Sequence, residues 1–128
     1  MAKYLSPEWL EEFRTLAEDQ PTRPGATVNI QYKVTGGPEG EVDYYWVIEE
    51  GKIVDAKIGI IEPADFTMTQ TYSDAAEIQR GELDPTAAFM QGRIKVTGSM
   101  TKMMSLLPIT NSPEWKSLQE KVSAATEY

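Results

Sequence analysis

The sequence contains no histidine and no cysteine. Without histidine, the commonest general base and the commonest transition-metal ligand are missing. A Ser-His-Asp triad and zinc sites of the usual kinds are therefore excluded. Without cysteine there is no disulfide and no thiolate chemistry. No run of roughly 18 apolar residues occurs, so a membrane-spanning helix is not expected. The first residues, Met1-Ala2-Lys3-Tyr4-Leu5, lack the apolar core of a secretion signal. Positive charge is scarce: 12 basic residues face 20 acidic ones, for a net charge of −8. Phosphate binding rests on clustered Lys and Arg, so nucleic acid is not an expected partner. An anionic membrane surface is expected to be met at most transiently. A cytoplasmic location is the default expectation.

What the chain does have is a single domain's worth of apolar residues. Its 128 residues, 41% of them hydrophobic, fit one core and one domain spanning 1–128. Ser6-Pro7-Glu8-Trp9 starts a helix, with Ser as N-cap, Pro in the first turn and Glu at the positive end of the dipole. Trp9, Phe13, Leu16 and Ala17 follow at helical spacing, and Pro21 limits the helix to about Gln20. Strict alternation then predicts a first strand through Val28, Ile30, Tyr32 and Val34 and a second through Val42, Tyr44, Trp46 and Ile48. A third runs through Val54, Ala56, Ile58 and Ile60. Gly36 to Gly40 reads as a turn, since it lacks the Lys-Ser/Thr end of a phosphate loop. Glu50-Gly51 predicts a tight hairpin. Glu62-Pro63-Ala64 breaks the pattern, and Asp65 to Thr71 is a fourth strand with Phe66 and Met68 on one face and Thr67, Thr69 and Thr71 on a solvated one. Ser73-Asp74 is expected to cap a helix through Arg80 carrying Ala75, Ala76 and Ile78. Ser112-Pro113-Glu114-Trp115 repeats the first helix start. It leads a stripe of Trp115, Leu118, Val122 and Ala125.

Between these lies Gly81 to Leu107. Gly81 can end a helix, Asp84-Pro85 can start the next, and Gly92 closes it. Arg93 to Thr97 alternates as a strand, with Arg93 and Lys95 on an outward face. Gly98-Ser99 opens an amphipathic helix with Met100, Met103, Met104 and Leu107 along one side, stopped by Pro108. The pattern predicts an α+β fold: a five-stranded, mostly antiparallel sheet with helices packed on one face.

Candidate chemistry is sparse. The acidic pairs Glu11-Glu12, Glu18-Asp19 and Glu49-Glu50 fall on a helix surface, a helix end and a hairpin, where carboxylates are solvated. Asp55, Glu62 and Asp65 match no calcium-loop spacing. No metal, no cofactor and no catalytic residue is assigned, and the expectation is that the chain is not an enzyme. The methionines stand out instead. Met90, Met100, Met103 and Met104 crowd together, with Met68 on a nearby strand. Flexible, polarisable side chains suit a cavity that accepts variable apolar shapes, and they equally suit an ordinary core.

The Gly81–Leu107 stretch resembles the sterol carrier protein 2 family of lipid-binding domains. There a Gly-x-Leu-x-Pro segment runs through Ala-Phe-Met-x-Gly into a short strand and a Gly-containing turn. Gly81, Leu83, Pro85, Ala88, Phe89, Met90, Gly92, Ile94, Val96 and Gly98 fall where that pattern has them. One departure is Ser99, where many relatives carry an acidic residue. Another is the end Ala-Thr-Glu-Tyr, which differs from the receptor-read tripeptide of peroxisomal relatives.

The resemblance implies that the last strand joins the sheet on the side opposite the meander. It also implies an apolar tunnel between sheet and helices, closed by the Met-rich and last helices. The ligand would be a fatty acid, a fatty acyl thioester or a sterol-like molecule. Its contacts would come from Trp46, Phe66 and Met68 on the strands and from Ile78, Leu83, Phe89 and Met90 along the connecting helices. Met100, Met103, Met104 and Leu107 would complete the wall. A tunnel of ~400 Å³ left empty would cost on the order of 10 kcal/mol. It must therefore collapse, take water or hold lipid. The alternative reading is a non-catalytic interaction module that packs its Met-rich face on a partner or, as a homodimer, on a second copy.

Overall fold

A computed structural model describes residues 2–128. A two-residue strand, β1 (Ala2–Lys3), leads into helix α1 (Pro7–Leu16) and a 3₁₀ turn at Ala17–Asp19. Ser6 caps α1 as its chemistry dictates: its Oγ accepts from the Trp9 amide at 3.1 Å. The meander follows as β2 (Val28–Gly37), β3 (Gly40–Glu49) and β4 (Lys52–Ile58). Glu50 and Gly51 both take positive φ, 51° and 83°, the geometry of a two-residue hairpin whose twist matches its strands. β4 ends two residues before Ile60, and a bulge at Val54 interrupts its register with β3.

β5 (Phe66–Thr71) lies beside β2, not beside β4, and runs parallel to it. β6 (Lys95–Gly98) is antiparallel to β5 on the outer edge, giving the order β4-β3-β2-β5-β6. The sheet is thus mixed, with one parallel pairing among three antiparallel ones. The cross-strand partners Ala56, Trp46, Ile30 and Phe66 occupy one face, and α1 covers it, with Phe13 4.8 Å from Trp46 between ring centroids.

The link from β4 to β5, residues 59–65, crosses the opposite face. Gln31 holds it there. Its Nε2 lies 3.0 Å from the carbonyls of both Tyr44 and Gly59, and its Oε1 accepts from the Ile61 amide at 2.9 Å. Asp65 closes the crossing: its Oδ2 accepts from the Asn29 amide at 2.7 Å and its own amide donates to the Asn29 carbonyl at 2.9 Å.

Helix α2 (Tyr72–Gln79) begins earlier than the sequence predicts, because Thr71, rather than Ser73 or Asp74, supplies the capping oxygen to the Asp74 amide. Asp74 sits in the first turn, where the dipole favours its charge. Helix α3 (Pro85–Met90) is capped by Asp84, whose Oδ2 accepts from the Ala87 amide at 3.0 Å. Its end consumes Arg93: Gly92 takes φ 77° and the Arg93 amide donates back to the Ala88 carbonyl. Arg93 therefore precedes β6, and the outward pair expected at Arg93 and Lys95 reduces to Lys95 on the strand, with Arg93 turned to Asp74 at 3.8 Å.

The Met-rich helix is broken. Helix α4 (Met100–Ser105) stops at Leu106, and Pro108 lies in the first turn of a new short helix, α5 (Leu107–Thr110). Pro108 thus starts a helix instead of ending one, consistent with its pre-set φ and missing amide donor. Helix α6 (Pro113–Ala124) repeats the α1 cap, Ser112 Oγ accepting from the Trp115 amide at 3.2 Å. A last strand, β7 (Thr126–Glu127), pairs in parallel with β1, an end-to-end contact absent from the sequence reading. Trp9 Nε1 donates to Thr126 Oγ1 at 2.9 Å within it.

Two substitutions test the crossing. Gln31→Leu leaves the Ile61 amide and two carbonyls short of partners and should cost about 2 kcal/mol in urea unfolding. Gly98 (φ 110°) meets β5 so closely that a Cβ would lie 2.7 Å from the Asp65 carbonyl oxygen. Gly98→Ala should cost about 3 kcal/mol, read as a lower urea midpoint at unchanged m-value.

Candidate functional site

The site to consider is the layer between the apolar sheet face and the helices. Over β2 to β4 it is filled by aromatic rings. Trp46 is the hub, with Phe13, Tyr32 at 5.2 Å and Trp115 at 6.1 Å around it. Tyr32 stacks on Tyr44 at 4.7 Å, nearly coplanar. Such offset ring pairs add to burial energy and fix each other's rotamers. Over β5 and β6 the filling changes character. Phe66 is fully buried, but Met68 and its cross-strand neighbour Val96 are only half-buried. Met103, Leu106 and Ile109 pack into the core from above.

The candidate ligand residues divide accordingly. Trp46, Phe66 and Met103 are buried. Met68, Ile78, Leu83 and Leu107 are half-buried. Phe89, Met90, Met100 and Met104 are exposed, Met90 to 80%. Of the helical stripe Met100-Met103-Met104-Leu107, only Met103 turns fully inward. The break at Leu106 resets the phase, so the buried series becomes Met103, Leu106 and Ile109. Two open hollows on the surface, one along α1 at Glu8 and Glu11 and one at Arg23 and Pro108, include none of the candidate residues.

Three polar atoms inside this layer have no partner among the described residues: Trp46 Nε1, Gln70 Oε1 and Gln79 Nε2. Gln70 continues the inward series Phe66, Met68, and Gln79 lies on the buried side of α2. The sequence reading missed both glutamines. The available signal was a polar residue in the inward phase of an alternating strand. Buried unpaired groups of this kind can bond a water or the polar atom of a bound molecule.

The layer carries little charge. Burial pushes the hydroxyls of Tyr4 and Tyr44 far up from their ordinary value, and the neighbouring tyrosines add to it. Both therefore stay neutral donors at physiological pH. Among the described residues no group of three acidic side chains gathers as a metal site, and no helix is long and apolar enough to cross a membrane.

A mixed five-stranded sheet with helices over one face, and an apolar layer between them, defines an α+β domain of two layers. The chain belongs to the SCP-2 sterol transfer family, whose model matches residues 10–110. Human sterol carrier protein 2 is 31% identical over 86 residues, which cover 64% of this chain; the chain spans about 15% of that relative's length. Among solved structures, a crystal structure of sterol carrier protein 2 matches with a TM-score of 0.70 at 18% identity, covering 94% of this chain and 97% of that one. The solution structure of palmitated SCP2L2 from Aedes aegypti matches with a TM-score of 0.66 at 16% identity, covering 88% and 96%. At these identities the structures establish the fold.

The buried tyrosines make a pH prediction. Their folded pKa values lie above the unfolded value of 10.0. Their contribution is thus intact below pH 10 and is lost as pH rises beyond it, by up to about 1.4 kcal/mol per pH unit for each. Urea midpoints should fall steeply above pH 10 in wild type and less steeply in Tyr44→Phe.

Proposed function

We propose that this chain is a non-catalytic lipid-binding domain. It holds a fatty acid, a fatty acyl thioester or a sterol-like molecule between the sheet and the short helices α3 to α5. One observation carries the reading: the stretch that matches the family pattern also leaves Phe89, Met90, Met100 and Met104 exposed. Water disfavours such surface, and an apolar chain drawn in beside Met68 and Val96 would cover it. Each buried methylene offers about 0.8 kcal/mol, set against the cost of parting α4 from β5. Methionine lowers that cost because it re-packs without strain. Gln70 and Gln79 supply hydrogen-bonding groups for the ligand's polar end. The palmitate named with the Aedes aegypti structure is consistent with such cargo. The cytoplasm is the proposed location.

The same exposed side chains also favour a second reading, in which a protein partner covers them. The test is native mass spectrometry and thermal shift after loading with palmitate and, separately, cholesterol. The wild type should retain one ligand and melt higher. The double variant Met90→Glu and Met104→Glu changes exposed positions only, so it should fold normally and retain at least ~10-fold less ligand, the counterpart of 1.4 kcal/mol. No adduct and no shift with either ligand would reject the lipid reading in favour of a protein partner.

A further inference from the structure

We propose that the free edge of β4 pairs with the β4 of a second copy, antiparallel and in one register, to make a two-fold dimer with a continuous ten-stranded sheet. This does not depend on the lipid reading. β4 lies at the end of the sheet, and its outer side has no strand partner among the described residues. Large apolar side chains cluster there: Val54 is 46% exposed, Ile58 43% and Ile60, just beyond the strand, 57%. An unpaired edge carrying apolar residues is a template for another strand.

The backbone phase and the charges select the register. The Gly59 amide donates to the Asp43 carbonyl at 2.8 Å, so Gly59, Lys57 and Asp55 turn their backbone groups inward to β3. Ala56 and Ile58 turn theirs outward, because hydrogen-bonded and non-bonded positions alternate along an antiparallel pair. A second copy must therefore place Ala56 and Ile58 in bonded positions, which leaves three compact two-fold registers. Centred on Asp55, the pairing sets Asp55 against Asp55. Centred on Lys57, it sets Lys57 against Lys57. Centred on Ala56, it sets each Asp55 against the other copy's Lys57 and each Val54 against the other copy's Ile58. Like charges directly opposed are unfavourable and opposite charges favourable.

Within one chain Lys57 Nζ lies 3.9 Å from Asp55 Oδ2, and Asp55 Oδ1 accepts from the Ala56 amide at 3.0 Å. In the dimer the Asp55 carboxylate exchanges these contacts for the other copy's Lys57 and releases the Ala56 amide to the other copy's strand. The bulge at Val54 and the edge lysine Lys57 are the usual guards against indiscriminate edge pairing. Here they leave one matched arrangement. A two-fold contact of this kind closes on itself. The paired strip is small beside a standard interface of roughly 1,600 Å², so association is weak and dependent on concentration.

Sedimentation velocity from micromolar to near-millimolar protein tests this. Wild type should pass from monomer to dimer. Asp55→Lys opposes lysines twice in the dimer and Lys57→Asp opposes aspartates twice, so each variant alone should associate at least ~10-fold more weakly, equivalent to 1.4 kcal/mol. Mixing the two single variants restores both opposite-charge pairs and should restore association, which a merely destabilised fold would not do. Circular dichroism of each variant establishes that it is folded. A wild type that stays monomeric throughout, or a dimer indifferent to both charge changes, would overturn the proposal.

Discussion

Parallel pairing of β5 with β2 is the constraint on which the rest of the structure rests. To reach that place β5 must be joined to β4, which runs parallel to it across two intervening strands. No tight turn can make such a connection, and the usual solution is a helix. This chain uses residues 59–65, laid across the sheet without secondary structure of their own. Their backbone groups still need partners: Gln31 takes the Gly59 carbonyl and the Ile61 amide, and Asn29 takes the Pro63 carbonyl and the Asp65 amide. Everything downstream is placed by that crossing. β5 fixes where α2 departs, β6 docks on β5, and Ser99, the cap of α4, donates its amide to the Asp65 carbonyl at 2.8 Å. The outer face of the sheet thus sets the position of the helices on its inner face.

The inner face has two unlike halves. Above β2 to β4, indole and phenol rings lock one another, and α1 is held by a capped start and by Trp9 bonded to Thr126. Above β5 and β6, three helices of six, six and four residues rest on methionine and small aliphatic side chains. Helices this short have little stability of their own and take their shape from packing. Such segments are the ones that open at low free-energy cost. A rigid aromatic wall thus stands beside an adjustable one on the same sheet.

The sequence made the meander legible because its alternation is strict and its turns carry the right residues. The paired Ser-Pro-Glu-Trp starts were legible for a similarly local reason: a cap needs only a hydroxyl three residues before an amide. Parallel pairing was not legible, since nothing in Phe66-Thr67-Met68-Thr69-Gln70 distinguishes a neighbour on either side. The helix break at Leu106 was missed because Pro108 fits a helix start as well as a helix stop, and which applies depends on the direction the chain must take to reach α6. Four of the candidate lining residues lie at the surface. Periodicity reports which face of a helix is apolar; it cannot report whether a partner surface is near enough to cover it. Gln70 and Gln79 are buried, and polarity alone does not distinguish a buried amide from an exposed one.

The bond between Trp9 and Thr126 joins residues 117 apart in sequence, and β1 with β7 extends the same contact to the ends of the chain. During synthesis α1 and the meander leave the ribosome before β7, so the pairing that anchors α1 waits for a residue 117 positions after Trp9. A nascent chain must therefore carry Trp9, Phe13 and Trp46 without this clasp until Thr126 has emerged. Contacts of such long sequence separation form slowly. That interval is when Trp9, Phe13 and Trp46 are most open to chaperones or to unwanted neighbours.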